Sequence, residues 1–120
     1  RRIAMPTNTF DFAFDGNHIW LTLTLEPEVL KIDPNSGEIL ETFLVNDTGT
    51  FVASDGTYVY VANSYSSTSL LSATISRIET ATGELSLIDG FQQPMRMLFD
   101  GTYLWVLDSS ADELVKVVAG

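Results

Sequence analysis

The dipeptide Asp-Gly occurs at Asp15-Gly16, Asp55-Gly56 and Asp100-Gly101, spaced 40 and 45 residues apart. Five residues after each Asp stands an aromatic: Trp20, Tyr60 and Trp105. An apolar run precedes each Asp, Phe12-Ala13-Phe14, Val52-Ala53-Ser54 and Met97-Leu98-Phe99, and a basic residue followed by a β-branched one comes later, at Lys31-Ile32, Arg77-Ile78 and Lys116-Val117. Turn clusters close two copies, at Asp33–Glu38 and Thr80–Glu84. A repeat of this length across 120 residues leaves room for about three copies of one supersecondary unit.

Each copy reads as short antiparallel strands. Asp-Gly supplies the positive φ of a tight hairpin turn, and the flanking runs alternate and are rich in Val, Ile, Tyr, Trp and Phe. Copy one predicts strands over Phe10–Phe14, Ile19–Thr24, Val29–Asp33 and Ile39–Leu44. Copy two predicts Phe51–Ser54, Tyr58–Asn63, Ala73–Glu79 and Leu85–Ile88; copy three predicts Met95–Phe99, Tyr103–Asp108 and Glu113–Val118. No stretch keeps a period near 3.6, so little or no helix is expected. Four antiparallel strands per repeat of 40–45 residues is the period of a β-propeller blade.

The phrases Phe-Asp-Gly…Leu-Trp-Val, Ser-Asp-Gly-Thr-Tyr-Val-Tyr-Val-Ala-Asn and Leu-Lys-Ile-Asp-Pro-Asn-Ser-Gly-Glu resemble bacterial propellers of the YVTN and virginiamycin-B-lyase-like superfamily, over essentially the whole chain. The resemblance implies an all-β propeller. It does not specify chemistry, because that group includes lyases, lactone hydrolases, quinoprotein-like enzymes and binding scaffolds.

Residues 1–120 thus read as a single half-propeller domain, with blades near 10–44, 50–88 and 95–118. Three blades do not close a ring, since propellers use about 4–8, and copy three lacks its outermost strand. Ile3-Ala4-Met5-Pro6 stands before the first inner strand as Glu41–Leu44 stands before the second, so residues 1–7 read as an orphan outer strand. Running from Asp100 off the end and into Asp15 of a second copy gives 35 residues, close to the internal spacings. The expectation is a homodimer that closes a six-bladed ring, each chain's first residues completing the last blade of its partner. An excised half of a longer propeller gives the same local strands.

The 16 acids against 6 bases, a formal charge of −10, disfavour nucleic acid and anionic membrane surfaces as partners. No apolar run approaches the ~18 residues of a spanning helix. The absence of cysteine removes disulfides, thiolate metal sites and thiol nucleophiles. His18, the single histidine, falls in the turn after Asp15-Gly16 and reads as a turn residue. Trp20, Tyr60 and Trp105 read as packing between blades. Lys31, Arg77 and Lys116 are expected to pair with carboxylates such as Asp33, Glu79 and Glu113.

The position four before each repeat Asp varies, as Asp11, Phe51 and Arg96. It lies at the start of the innermost strand, near the face where propellers bind ligands, and Arg96 is expected to meet Asp11 of a partner across the ring junction. A six-residue insertion within Ser64–Ser72 brings Tyr65 to that face, and Asn63, Asp108 and Ser109 end second strands nearby. Asp11, Asn63, Tyr65, Arg96, Asp108 and Ser109 are therefore the candidate ligand-binding set, for a small molecule, glycan or protein. No catalytic residue, metal ligand or cofactor is assigned, and the expected function is a non-catalytic binding or interaction scaffold. Two alternatives stay open. One is a metal-assisted lyase or lactone hydrolase, with Asp11, Asp108 and Asn63 around a divalent cation at the channel mouth. The other is an excised or engineered fragment with no independent function.

Overall fold

A computed structural model of the chain describes residues 1–24, 26–45, 51–63, 74–109 and 111–117. Blade one is β1 (Thr9–Phe14), β2 (Ile19–Leu23), β3 (Glu28–Ile32) and β4 (Ile39–Leu44). Blade two is β5 (Val52–Ser54), β6 (Tyr58–Asn63), β7 (Thr74–Glu79) and β8 (Leu85–Ile88). Blade three is β9 (Pro94–Phe99), β10 (Leu104–Asp108) and β11 (Glu113–Val117). Every sheet is antiparallel and follows chain order. The first strand of each is innermost, with β1 against β5 and β5 against β9. The described residues contain no helix.

The repeat Asp does more than turn the chain. One oxygen of Asp15 accepts the N–H groups of Asn17 and His18, both at 2.7 Å, and the other accepts the Trp20 indole N–H at 2.9 Å. Asp55 holds the amides of Thr57 and Tyr58 and the Tyr60 hydroxyl, the last at 2.7 Å. Asp100 holds those of Thr102 and Tyr103 and the Trp105 indole, all at 2.8 Å. The glycine that follows each Asp has φ between +92 and +104°, a region that residues with a Cβ rarely adopt. Each turn is thereby clasped to the aromatic of the strand it leads into.

These aromatics sit on one face of each blade, toward the next blade. Trp20 is fully buried against Val52, Val59, Val61 and Ile78 of blade two. Tyr60 is buried against Leu104 and Val106 of blade three. Trp105 meets no further blade among the described residues, and beside it Leu98 and Leu114 are 66% and 63% exposed.

One expectation is corrected. The third-strand cations lie over aromatic rings instead of pairing with Asp33, Glu79 and Glu113. Arg77 is 4.5 Å from the Tyr58 ring centre, Lys116 4.5 Å from that of Tyr103 and Lys31 5.8 Å from that of Trp20. Cross-strand register is the cause: it places Lys31 directly opposite Trp20, and it sets Arg77 and Lys116 diagonally from Tyr58 and Tyr103, two residues before the rings opposite them, where an apolar stem lies flat and the charge meets the ring face. The carboxylate that Lys31 reaches is Glu41, at 3.9 Å on the adjacent strand.

Within this chain residues 1–7 form no strand. The Arg1 guanidinium donates to the Asn35 and Ser36 carbonyls at 3.0 and 3.2 Å, and Met5 packs against the cluster of Leu21, Leu23, Leu30 and Ile32. An apolar blade face without a neighbour takes the nearest apolar segment.

The clasp makes stability acid-sensitive. Burial pushes the Asp15 carboxyl up, but the His18 and Asn17 amides and the Trp20 indole together outweigh it and hold the group below its ordinary value. The Trp105 indole, then the Tyr103 and Thr102 amides, hold Asp100 low in the same way. Burial and the bond to Asp55 push the Tyr60 hydroxyl upward, so it remains a donor. A carboxylate whose folded pKa is depressed stabilises the fold above the ordinary value of about 3.9 and loses that contribution as pH falls through its folded value. Urea unfolding should therefore show stability dropping below about pH 4, with a shallower drop in the Asp15→Asn/Asp100→Asn double variant. An identical drop in that variant would place the acid sensitivity elsewhere.

Candidate functional site at the blade ends

The candidate residues gather where the inner strands begin and the second strands end, because antiparallel pairing sets Thr9 beside Leu23 and Pro94 beside Asp108. β1 and β9 each carry an irregularity at the same repeat position: two residues, Phe10–Asp11 and Met95–Arg96, oppose one residue of the second strand. Such bulges re-aim side chains at sheet rims. They explain why the position four before the repeat Asp departs from the apolar pattern.

Asp11 turns toward blade two. One carboxylate oxygen accepts the Val52 amide at 3.0 Å and the other accepts the Phe12 amide at 2.9 Å. Arg96 reaches blade two from the other side, its guanidinium 5.0 Å from the centre of the Phe51 ring. Phe10 meets that ring edge-on at 5.1 Å. Asp11 and Arg96 of one chain thus converge on the start of β5, and each has a partner there.

Other members of the set are built into the wall. Asp108 is buried and accepts the Gln92 and Gln93 amides, the latter at 2.7 Å, which fixes the chain entering β9. Ser109 is exposed; its backbone N–H donates to the Gln93 carbonyl at 3.1 Å and its hydroxyl donates to the Gln93 side-chain oxygen at 3.3 Å. Asn63 is buried, and its amide nitrogen donates to the Thr74 and Ser76 hydroxyls at 3.1 and 2.8 Å. Tyr65 and the insertion around it lie outside the described residues. His18 is half-buried in the β1–β2 turn, with its backbone tied to Asp15. Sequence reasoning missed Phe10 and Phe51 as parts of this rim, although the aromatic at the variable position was the available signal.

The Arg96 guanidinium and the Phe10 ring stay exposed at this rim, with the half-buried Phe51 ring against both. Among the described residues, no three His, Asp or Glu side chains come together as metal ligands.

No protein-family model and no curated protein matches the chain. Solved structures do. Hydrazine synthase of Kuenenia stuttgartiensis is 16% identical, with TM-score 0.67 over 97% of this chain and 37% of that one. Glutaminyl cyclase of Myxococcus xanthus is 13% identical, with TM-score 0.64 over 100% of this chain and 55% of that one. A streptogramin B lyase structure is 16% identical, with TM-score 0.58 over 88% of this chain and 38% of that one. At these identities the likeness establishes the fold: the chain is built from propeller blades, as the resemblance of its repeat phrases implied. It spans from about a third to about half of the structures it matches.

Removing the Asp108 carboxylate deletes the charged acceptor of two part-buried backbone N–H groups, those of Gln92 and Gln93. Asp108→Ala should cost about 2–4 kcal/mol in urea unfolding, and Asp108→Asn distinctly less because one acceptor oxygen remains. Equal costs would mean that the carboxylate does not hold the β9 entry.

Proposed function

We propose that the chain is a non-catalytic propeller scaffold, two copies of which close a six-bladed ring whose mouth holds a ligand. One observation carries the ring. Blade one presents Phe12, Ile19, Leu21 and Ile32 at the repeat positions of Val52, Val59, Val61 and Ile78, which blade two packs against Trp20. Blade three presents Trp105, Leu98 and Leu114 at the repeat positions of Tyr60, Ala53 and Ile75, all buried in blade two. The two ends of the fan are therefore the two halves of an interface that the chain already makes twice.

The open face of blade three forms a groove of about 540 Å³ that includes Leu98, Trp105, Leu107 and Leu114. Contiguous apolar surface of this kind marks an interaction site, and a second copy supplies the matching side. The mouth of the ring carries the binding set Asp11, Asn63, Tyr65, Arg96, Asp108 and Ser109. Arg96 and Ser109 face the ligand, while Asn63 and Asp108 hold the wall. The ligand class is a small molecule, glycan or protein with a planar or anionic group. A metal-assisted lyase or hydrolase draws no support from the described side chains.

A second reading has its own support. The chain covers only part of the structures it matches, so further blades of a longer chain meet the same two faces equally well.

Sedimentation across a concentration series decides between them. A closed ring gives a species of twice the chain mass, and Leu98→Asp/Leu114→Asp abolishes it while the strand signal in circular dichroism persists. Each copy carries −10, so added salt should tighten the pairing. A chain that stays monomeric at every concentration contradicts the homodimer and favours the longer propeller.

A further inference from the structure

We infer that residues 1–6 are an internal substitute for the missing neighbour blade and compete with ring closure for the same surface. The inference rests on the ring reading and adds a control to it. Ile3 and Met5 line a groove of about 200 Å³ together with Phe12, Ile19, Leu21 and Ile32, and Met5 packs against the cluster of Leu21, Leu23, Leu30 and Ile32. Those four positions are the ones that blades two and three turn toward the preceding blade. Among the described residues no blade precedes blade one, and the opening segment stands where such a blade's aromatic would pack. The seat is shaped for it: a Cβ on Gly37 would lie 2.5 Å from a methyl of Ile3, so the bare backbone there makes room for the side chain.

The substitute is a poor one, which is what a displaceable cap requires. It is not a strand, and its hydrogen bonds from Arg1 are exposed. It also leaves Phe12 and Phe14 69% and 59% exposed. An incoming blade three brings Trp105, Leu98 and Leu114, which cover more apolar area than one isoleucine and one methionine. Exchange of the cap for a blade is therefore downhill once the partner is concentrated enough. Below that concentration the cap keeps part of blade one out of water. The segment thus sets the threshold at which the ring forms.

The experiment compares the dimer dissociation constant of the chain with that of a chain lacking residues 1–6 and of an Ile3→Ser/Met5→Ser variant, by sedimentation. The double variant covers the case in which the truncation fails to fold. Two released apolar side chains should tighten association about tenfold or more in both. Unchanged or weaker association, while the full chain still dimerises, overturns the cap and leaves the ring standing. Weaker association in the truncation is also what strand donation to the partner's last blade predicts. If no form of the chain dimerises, the ring reading falls and the competition falls with it.

Discussion

A blade of this chain is apolar on both faces and cannot rest in water on its own. Each face needs another sheet, so the unit of stability is the interface between blades and not the blade. Trp20 and Tyr60 are buried because a following blade covers them, whereas Trp105 has the same local surroundings and no following blade among the described residues. Everything distinctive about the two ends of the fan follows from that difference. The exposed leucines of blade three, the exposed phenylalanines of blade one and the folded-back opening segment are one unmet requirement seen from two sides.

Within each blade, three residue types act together across three strands. The turn carboxylate clasps the second-strand aromatic, and the third-strand cation lies over an aromatic ring of that strand. In blade one both groups act on the Trp20 ring, edge and face; in blades two and three the carboxylate holds Tyr60 and Trp105 while the cation lies nearest the ring of Tyr58 or Tyr103. The clasp recurs in all three blades on Trp20, Tyr60 and Trp105, and a cation–ring contact recurs beside it with Lys31, Arg77 and Lys116. It explains why spacings that look like scattered charges survive through the repeat.

The strands were legible because their causes are local. Alternation and Asp-Gly turns set boundaries within about one residue for most of the described strands, as at Ile39–Leu44, Tyr58–Asn63 and Leu85–Ile88. What sequence could not yield depends on register or on distant neighbours. Lys31 meets Trp20 through pairing across two strands, which no linear spacing announces. Asp108 was read as a rim residue, and it is a buried anchor because residues 92 and 93 return beside it. The departure at Asp11 and Arg96 was visible, but its origin in a bulge was not. Residues 1–7 match the pattern of an outer strand for the open edge of a second chain, and within one chain Met5 lies against the apolar face of blade one.

The most direct measurement is hydrogen exchange of the intact chain followed as its concentration rises. The account predicts that protection increases together in β1–β3 and in β9–β11, the two ends of the fan, while the strands of blade two stay unchanged. Protection that never varies with concentration, or that grows at one end only, would contradict the claim that the two faces are halves of a single repeated interface.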